Sequence, residues 1–185
     1  MKSLSLNQPH AIVMVGIPGS GKSFFAEKFA ETFNAPYVNY DTFRPFISDS
    51  KQLSKVLAHQ MRELLKTNYS IVVEGVAQTR AERTELAKYL KQHGYETVFI
   101  WVQTDPRTAL TRSLKQAKHS KEEHERLTER FSPPHETEKP VVISGKHTYA
   151  TQVRSVLKRL SGPRAEISTH STPPVRSLRD VRRTR

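Results

Sequence analysis

The sequence AIVMVGIPGSGKSFF, at residues 11–25, contains the strongest indication of the fold of this chain. Its first five residues are apolar and suit a buried strand of a parallel sheet. Residues 16–23, GIPGSGKS, match the pattern G-x-x-x-x-G-K-[ST] of a phosphate-binding loop. The residues that follow place apolar side chains at helical spacing, at Ala26, Phe29, Ala30 and Phe33. A strand, a glycine-rich loop and a helix in this order form the context that such a loop needs.

Each part of this loop has a chemical role. Its glycines adopt backbone angles closed to other residues, so consecutive N–H groups point inward and surround a phosphate. The Lys22 side chain reaches the β- and γ-phosphates, and the Ser23 hydroxyl binds magnesium. The loop therefore predicts ATP or GTP as ligand, together with Mg²⁺. The predicted nucleotide-binding residues in the loop are Gly16, Pro18, Gly19, Ser20, Gly21, Lys22 and Ser23.

Apolar strand patterns and helical patterns alternate along the rest of the chain. The predicted strands are residues 11–15, 37–40, 70–74, 97–102 and 141–144. This alternation predicts an α/β P-loop NTPase fold, a five-stranded parallel sheet sandwiched by helices. We expect helices to begin at Ser50 as N-cap, at a capping box of Thr79 and Glu82, and at Asp105 followed by Pro106.

Two stretches depart from this pattern. Residues 112–139 are strongly charged and poor in apolar side chains, which predicts a charged lid outside the core. Residues 162–185 hold six arginines against two acidic residues, which predicts a basic, disordered tail after a P-loop domain at residues 1–161. The eight histidines show no metal-binding spacing, and we expect His119 and His124 at the surface.

Asp41 and Arg44 follow the second predicted strand, where functional groups of a parallel sheet gather. Asp41 is our candidate general base, which would accept a proton from a hydroxyl as its oxygen attacks the γ-phosphate. Arg44 lies three residues further on and is a candidate to hold a phosphate of the substrate. A turn or capping role for Asp41 and a surface role for Arg44 are the alternatives.

Glu74 and Arg112 complete the predicted catalytic set. Glu74 ends the third strand, where a carboxylate can bind Mg²⁺, contact the substrate or cap the next turn. Arg112 opens the charged stretch and is our candidate for a cation that stabilises the transferred phosphate, with Lys115 and Lys118 as alternatives. A solvated helix with lysine–glutamate pairs is the simpler explanation of this stretch.

The loop after the fifth strand is the candidate site for the nucleotide base. Gly145, Lys146 and His147 are its candidate contacts, and Lys146 is the residue that we expect to bind the nucleotide. The alternative is an ordinary strand-to-helix turn that uses the backbone freedom of Gly145.

Composition narrows the class of protein. The chain has 185 residues, a net charge of +12 and no cysteine, which excludes disulfides, zinc–thiolate sites and a catalytic thiol and fits a reducing cytoplasm. Its longest apolar stretches are about five residues, too short to span a membrane. The positive charge attracts polyanions, and Arg44, Arg80, Arg83 and the tail are candidates for a basic groove.

The segments GIPGSGKS, YDTFR (residues 40–44), VVEG (72–75) and DPRTALTR (105–112) together resemble P-loop kinases of the polynucleotide kinase type. They also resemble the wider zeta-toxin-like, AAA-type ATP-binding group. The resemblance covers about residues 11–160. It implies that Lys22 and Ser23 bind the donor, that Asp41 and Arg44 act on the acceptor, and that Arg112 is the lid arginine.

The resemblance implies transfer of the γ-phosphate to a hydroxyl, with the 5′-hydroxyl of a nucleic acid as first candidate. Basic charge favours this acceptor because lysine and arginine bind phosphates. A kinase for a small metabolite, a nucleoside or a sugar nucleotide is the second candidate. A slow ATPase that acts as a regulatory module is the third.

Overall fold

Five parallel strands form the centre of the computed structural model, which describes residues 8–116 and 119–161. They are β1 (His10–Val15), β2 (Tyr37–Asn39), β3 (Ile71–Glu74), β4 (Glu96–Gln103) and β5 (Val141–Ser144). Their order across the sheet is β2-β3-β1-β4-β5. The P-loop strand β1 is thus central, and every residue of it is buried.

Within these described residues, six α-helices connect and cover the strands. They are α1 (Lys22–Phe33), α2 (Ser50–Leu65), α3 (Arg80–Gln92), α4 (Pro106–Lys115), α5 (Lys121–Arg130) and α6 (Tyr149–Leu160). Short 3₁₀ turns occupy Tyr40–Phe43 and Glu136–Glu138. Across residues 8–116 and 119–161, no helix combines the length and the apolar character needed to cross a bilayer.

Two apolar layers lie on opposite faces of the sheet. Alternate residues of β1 point to opposite faces, so that Ile12 and Met14 pack with α1 and α6 while Val13 and Val15 pack with α2 and α3. Burial on both faces explains why the strand is apolar at every position after His10. The predicted fold class, a five-stranded parallel sheet between helices, is confirmed.

Two of the three helix starts predicted from capping residues are confirmed. Thr79 and Glu82 form the predicted capping box at α3, and Asp105 caps α4. The prediction for α2 is wrong by one residue, because the N-cap is Asp49, whose carboxylate accepts a hydrogen bond from the Lys51 amide. Ser50 is instead the first helical residue.

The charged stretch 112–139 is not wholly outside the core, contrary to our expectation. Its first residues complete α4, where Ser113 is buried, and α5 buries His124. Phe131, just after α5, packs on the apolar layer that α3 covers. Polar helices bury single residues on their inward side even without an apolar stripe. Lys118 and the tail lie outside the residues that the structure describes.

Candidate active site

The phosphate-binding loop lies between β1 and α1 and is held by close backbone packing. Gly19 has a φ of +74° and packs so tightly on the Ala109 carbonyl of α4 that no side chain fits there. The buried Lys22 side chain donates from Nζ to the carbonyls of Gly16 and Ile17, each at 3.0 Å. Its ammonium group therefore lies directly against the loop that surrounds the phosphates.

Ser23 and Glu74 meet beside this loop. Ser23 Oγ donates to Glu74 Oε1 at 2.9 Å, and Tyr37 donates from its hydroxyl to Glu74 Oε2 at 2.7 Å. Glu74 is only 3% exposed. Burial, reinforced by the charge of Glu74, raises the pKa of Tyr37 far above its usual range, so Tyr37 remains a neutral donor.

The pair of Ser23 and Glu74 fits Mg²⁺. This ion usually takes one or two protein carboxylates and completes its shell with water and substrate phosphates. Within the described ranges, no group of three or more His, Cys, Asp or Glu residues could hold a metal on its own. One hydroxyl and one carboxylate beside a phosphate loop thus match a magnesium–nucleotide site better than a closed metal cage.

Asp41 lies on the same edge of the sheet as Glu74. Asn39 pairs with Glu74 across β2 and β3, and its side chain accepts a hydrogen bond from the Asp41 amide at 3.0 Å. Arg44 donates from Nε to Asp41 Oδ1 at 2.9 Å. Gly75 lies so close that a Cβ there would approach the Asp41 amide nitrogen to 2.7 Å. The loop after β3 therefore supports Asp41.

One cleft of about 1070 Å³ joins these groups. Because β2 and β5 are the edge strands and β1 is central, Asp41 and Arg44 after β2 lie at one end, the phosphate loop in the middle, and Gly145, His147 and Gln152 after β5 at the other end. The predicted residues that it brings together are Gly16, Pro18, Gly19, Gly21, Lys22, Ser23, Asp41, Arg44, Glu74 and Arg112. The side chain of Ser20 is fully buried behind the loop instead.

Arg112 lines the cleft at the end formed by the loop after β5, whereas Lys146 does not line it. Arg112 donates from Nη1 to the Gly145 carbonyl at 3.2 Å, beside the loop between β5 and α6. Lys146 lines a separate pocket with Ile17 and Asp105, so its predicted contact with the nucleotide has no support from this placement. The role of Arg112 toward the transferred phosphate stays a prediction.

Sequence reasoning missed the wall that α3 and α5 build, where the end of α5 joins the start of α3 next to the loop that supports Asp41. Its charged members are Glu82, Glu85, Glu123, Arg126 and Arg130, and His119, just before α5, also lines the cleft. On α5 the lining residues recur at helical spacing around Leu127, which is the single apolar residue of that helix. That leucine is the signal that could have identified the inward face.

The surface assignment is wrong for His124, whereas His119 is partly exposed. His119 lines the cleft and is 27% exposed at its side chain, and its Nδ1 lies 3.4 Å from Glu123 Oε2. His124 is buried, and burial, together with the charges of His119 and Lys22, lowers its pKa. The basic-groove candidate Arg83 is also misassigned, because its side chain is fully buried.

A family model described as an AAA domain matches residues 12–134. The chain belongs to this AAA-domain family. The match begins in β1 and extends past α5, so it includes the phosphate loop, Asp41, Glu74 and the α3–α5 wall.

Several known proteins that resemble this AAA domain are named as kinases or belong to an RNA repair complex. The rat 6-phosphofructo-2-kinase/fructose-2,6-bisphosphatase 1 is 24% identical over 136 residues, which cover 60% of this chain and 29% of that protein. A gluconokinase from Sinorhizobium meliloti 1021 superposes with a TM-score of 0.61 at 22% identity and covers 82% and 91% of the two chains. A chain of the Pnkp1/Rnl/Hen1 RNA repair complex gives 0.59 at 20% identity, covering 69% and 45%. At these identities the two structures establish a shared fold.

Proposed function

We propose that this AAA-domain chain is a kinase that transfers the γ-phosphate of ATP, or of GTP, to a hydroxyl group of a small molecule. One observation carries the proposal. A single cleft holds the phosphate loop, the Ser23–Glu74 pair and the carboxylate of Asp41. Phosphoryl transfer depends mainly on positioning the reactants and stabilising charge, and these are the groups that it needs.

The donor end of the site holds the nucleotide. Backbone N–H groups of the loop and the N-terminus of α1 bind the phosphates, and Lys22 contributes a positive charge beside them. Ser23 and Glu74 would hold Mg²⁺. A magnesium ion held there would supply positive charge against the negative charge that develops on the phosphate during transfer.

Asp41 is the proposed general base at the acceptor end. Its carboxylate accepts the proton of the acceptor hydroxyl as that oxygen attacks the γ-phosphate. Arg44, which pairs with Asp41, holds that carboxylate toward the cleft and has further N–H donors for the acceptor. Gly75 and Asn39 fix the backbone of Asp41 from two sides.

The charges at the acceptor end favour a small molecule. Together, Arg44 and the α3–α5 wall present three arginines and three glutamates, namely Arg44, Arg126, Arg130, Glu82, Glu85 and Glu123. Arg44 and Arg130 already pair with Asp41 and Glu82, respectively. A wall of balanced charge suits a compact polar acceptor better than a polyanion. The likeness in fold to a gluconokinase agrees with this proposal.

The 5′-hydroxyl of a nucleic acid is the second candidate acceptor. Eight of the 30 basic residues and two of the 18 acidic residues lie outside the described ranges, so the described part still carries a net charge of +6. The Asp41–Arg44 spacing and the likeness in fold to a chain of an RNA repair complex also support it.

A transfer assay with γ-labelled ATP tests the proposal. The acceptor panel contains sugars, sugar acids, sugar phosphates, nucleosides and oligonucleotides that carry a 5′-hydroxyl. We expect labelling of a small acceptor and a loss of at least about 100-fold in Asp41→Asn, with ATP binding retained. Asp49→Asn is the matched control, since it removes the same charge outside the cleft while asparagine still caps α2.

The outcomes separate the candidates. If oligonucleotides alone are labelled, the small-molecule acceptor is rejected and the 5′-hydroxyl of a nucleic acid is the acceptor. Slow ATP hydrolysis without any labelled acceptor, unaffected by Asp41→Asn, would contradict the kinase proposal and favour a regulatory ATPase.

A further inference from the structure

Arg83 of α3 is the largest side chain that is fully buried in the described part of the protein. We infer that Arg83 is a positioning residue, which fixes the loop beneath Asp41 and the end of helix α5 in one arrangement. Its role in the reaction rests on the proposed kinase function. Its role in holding the two segments together does not.

The guanidinium group of Arg83 bridges segments that are distant in sequence. It donates from Nε to Glu138 Oε1 at 2.6 Å and from Nη2 to Glu138 Oε2 at 3.1 Å. Arg83 thus forms a bidentate ion pair with a carboxylate 55 residues away. Nη1 also donates to the Ser132 carbonyl at 2.9 Å. These contacts hold the segment that follows α5.

The same group holds the loop between β3 and α3. Nη1 lies 3.4 Å from the carbonyl of Ala77 and 3.3 Å from that of Gln78. Ala77 has a φ of +65°, a conformation that alanine rarely adopts and that persists only where surrounding contacts impose it. Two residues earlier, Gly75 packs against the backbone of Asp41. Arg83 therefore restrains the loop that supports the proposed base.

The two restrained segments also bind each other. The Ser132 amide donates to the Gln78 carbonyl at 3.0 Å, and Arg130 pairs with Glu82. The end of α5 is thus fastened to the start of α3. Arg126 and Leu127, one turn before this junction, line the cleft. The junction sets the distance between the α5 wall and Asp41.

Arg83→Lys tests this inference because lysine keeps the positive charge and loses the planar set of donors. We expect kcat to fall about 10- to 100-fold, because a small displacement of the reacting groups has an effect of this size. The dissociation constant of ATP should change less than about threefold, since the variant leaves the phosphate loop unchanged. Arg62→Lys is the matched control at an exposed arginine of α2 that does not line the cleft, and it should retain parent kcat.

Ala77→Gly provides a rescue that a merely structural role would not show. Glycine adopts a positive φ without support, so the double variant with Arg83→Lys should recover kcat by at least about threefold relative to Arg83→Lys alone. Parent kcat in Arg83→Lys, an equal loss of ATP affinity, or no recovery in the double variant would overturn the inference. If Arg83→Lys does not fold, Glu138→Gln replaces it with the same expectations.

Hydrogen–deuterium exchange of the full chain separates this inference from the proposed function. In Arg83→Lys, amides of residues 75–79 and 121–130 should exchange faster, while those of β1 and α1 stay at the parent rate. Faster exchange in a protein without transferase activity would retain the positioning role and reject the kinase. Parent exchange at both segments would reject the positioning role.

Discussion

Substituting Gly75 by alanine should separate the strain of one backbone angle from the contact that supports Asp41. Gly75 has a φ of +86°, and Gly94, after α3, has a φ of +81°. A Cβ on Gly94 would meet no atom within 4 Å, whereas a Cβ on Gly75 would lie 2.7 Å from the Asp41 amide nitrogen. The two alanine variants thus share the angle and differ in the contact.

The magnitudes follow from these two contributions. A left-handed conformation costs alanine about 1–2 kcal/mol, which is the whole expected loss for Gly94→Ala. Gly75→Ala adds an overlap with backbone atoms that cannot rotate away, worth about a further 1–3 kcal/mol. For a domain of this size each kcal/mol lowers Tm by about 2–4 °C. We therefore expect Tm to fall clearly further for Gly75→Ala than for Gly94→Ala.

Urea denaturation and the phosphate-transfer assay measure the two variants side by side. The free energy of unfolding gives the difference attributable to the contact. Transfer activity, measured where both proteins are folded, shows whether the displaced Asp41 backbone matters. We expect Gly94→Ala to keep parent activity and Gly75→Ala to lose at least about tenfold, because Asp41 shifts by a fraction of an ångström or more.

Equal unfolding free energies for the two variants would refute the reasoning. They would mean that the loop after β3 yields to a methyl group and does not press on Asp41. A destabilised Gly75→Ala that keeps full activity would refute the second half alone, since the contact would then stabilise the fold without positioning the base.

Two further predictions concern carboxylates and their donors. Tyr37→Phe removes the hydroxyl that donates to the buried carboxylate of Glu74, so we expect the free energy of unfolding to fall by about 1–3 kcal/mol, against no change in the exposed control Tyr69→Phe, measured by urea denaturation. Burial alone would raise the pKa of Glu138, but hydrogen bonds from its arginine partner and from a backbone amide hold that pKa below its usual 4.5. A lowered folded-state pKa adds stability above the unfolded-state pKa, and this stability is lost as pH falls through the folded-state pKa. The difference in unfolding free energy between parent and Glu138→Gln should therefore shrink from about pH 6 to about pH 3, while Glu136→Gln shows little difference at any pH.

The sheet and the phosphate loop could be predicted because their signals are local. Each predicted strand is a short apolar run, and each occurs within about two residues of its predicted limits. The capping box of Thr79 and Glu82 and the start of α4 at Asp105 depend on residues within one helical turn. The α2 start was misplaced because Asp49 and Ser50 are both good N-caps, and sequence alone does not choose between neighbours.

The contacts of the α3–α5 wall could not be predicted, because their signals are distant in sequence. Arginine is almost never fully buried, so a reading of α3 alone places Arg83 in solvent. Its partner Glu138 lies 55 residues away, in a turn that no periodicity marks. His124 was misassigned for a similar reason, since α5 buries it within an otherwise polar helix. Only the packed structure brings these groups together.

The net charge of +12 is a poor guide to the acceptor, because a bound substrate responds to the charges near it. At the acceptor end, arginines and glutamates occur in equal number, and two of the arginines are already paired. An oligonucleotide would have to bind through basic residues away from this wall, and counterion release would make its binding weaken steeply with salt. Transfer to a small acceptor inside the cleft would depend on salt far less. Two salt titrations therefore report which charges each substrate uses. One measures how the logarithm of the binding constant of an oligonucleotide falls with the logarithm of the salt concentration. The other measures how the logarithm of kcat/KM for a small acceptor changes over the same range.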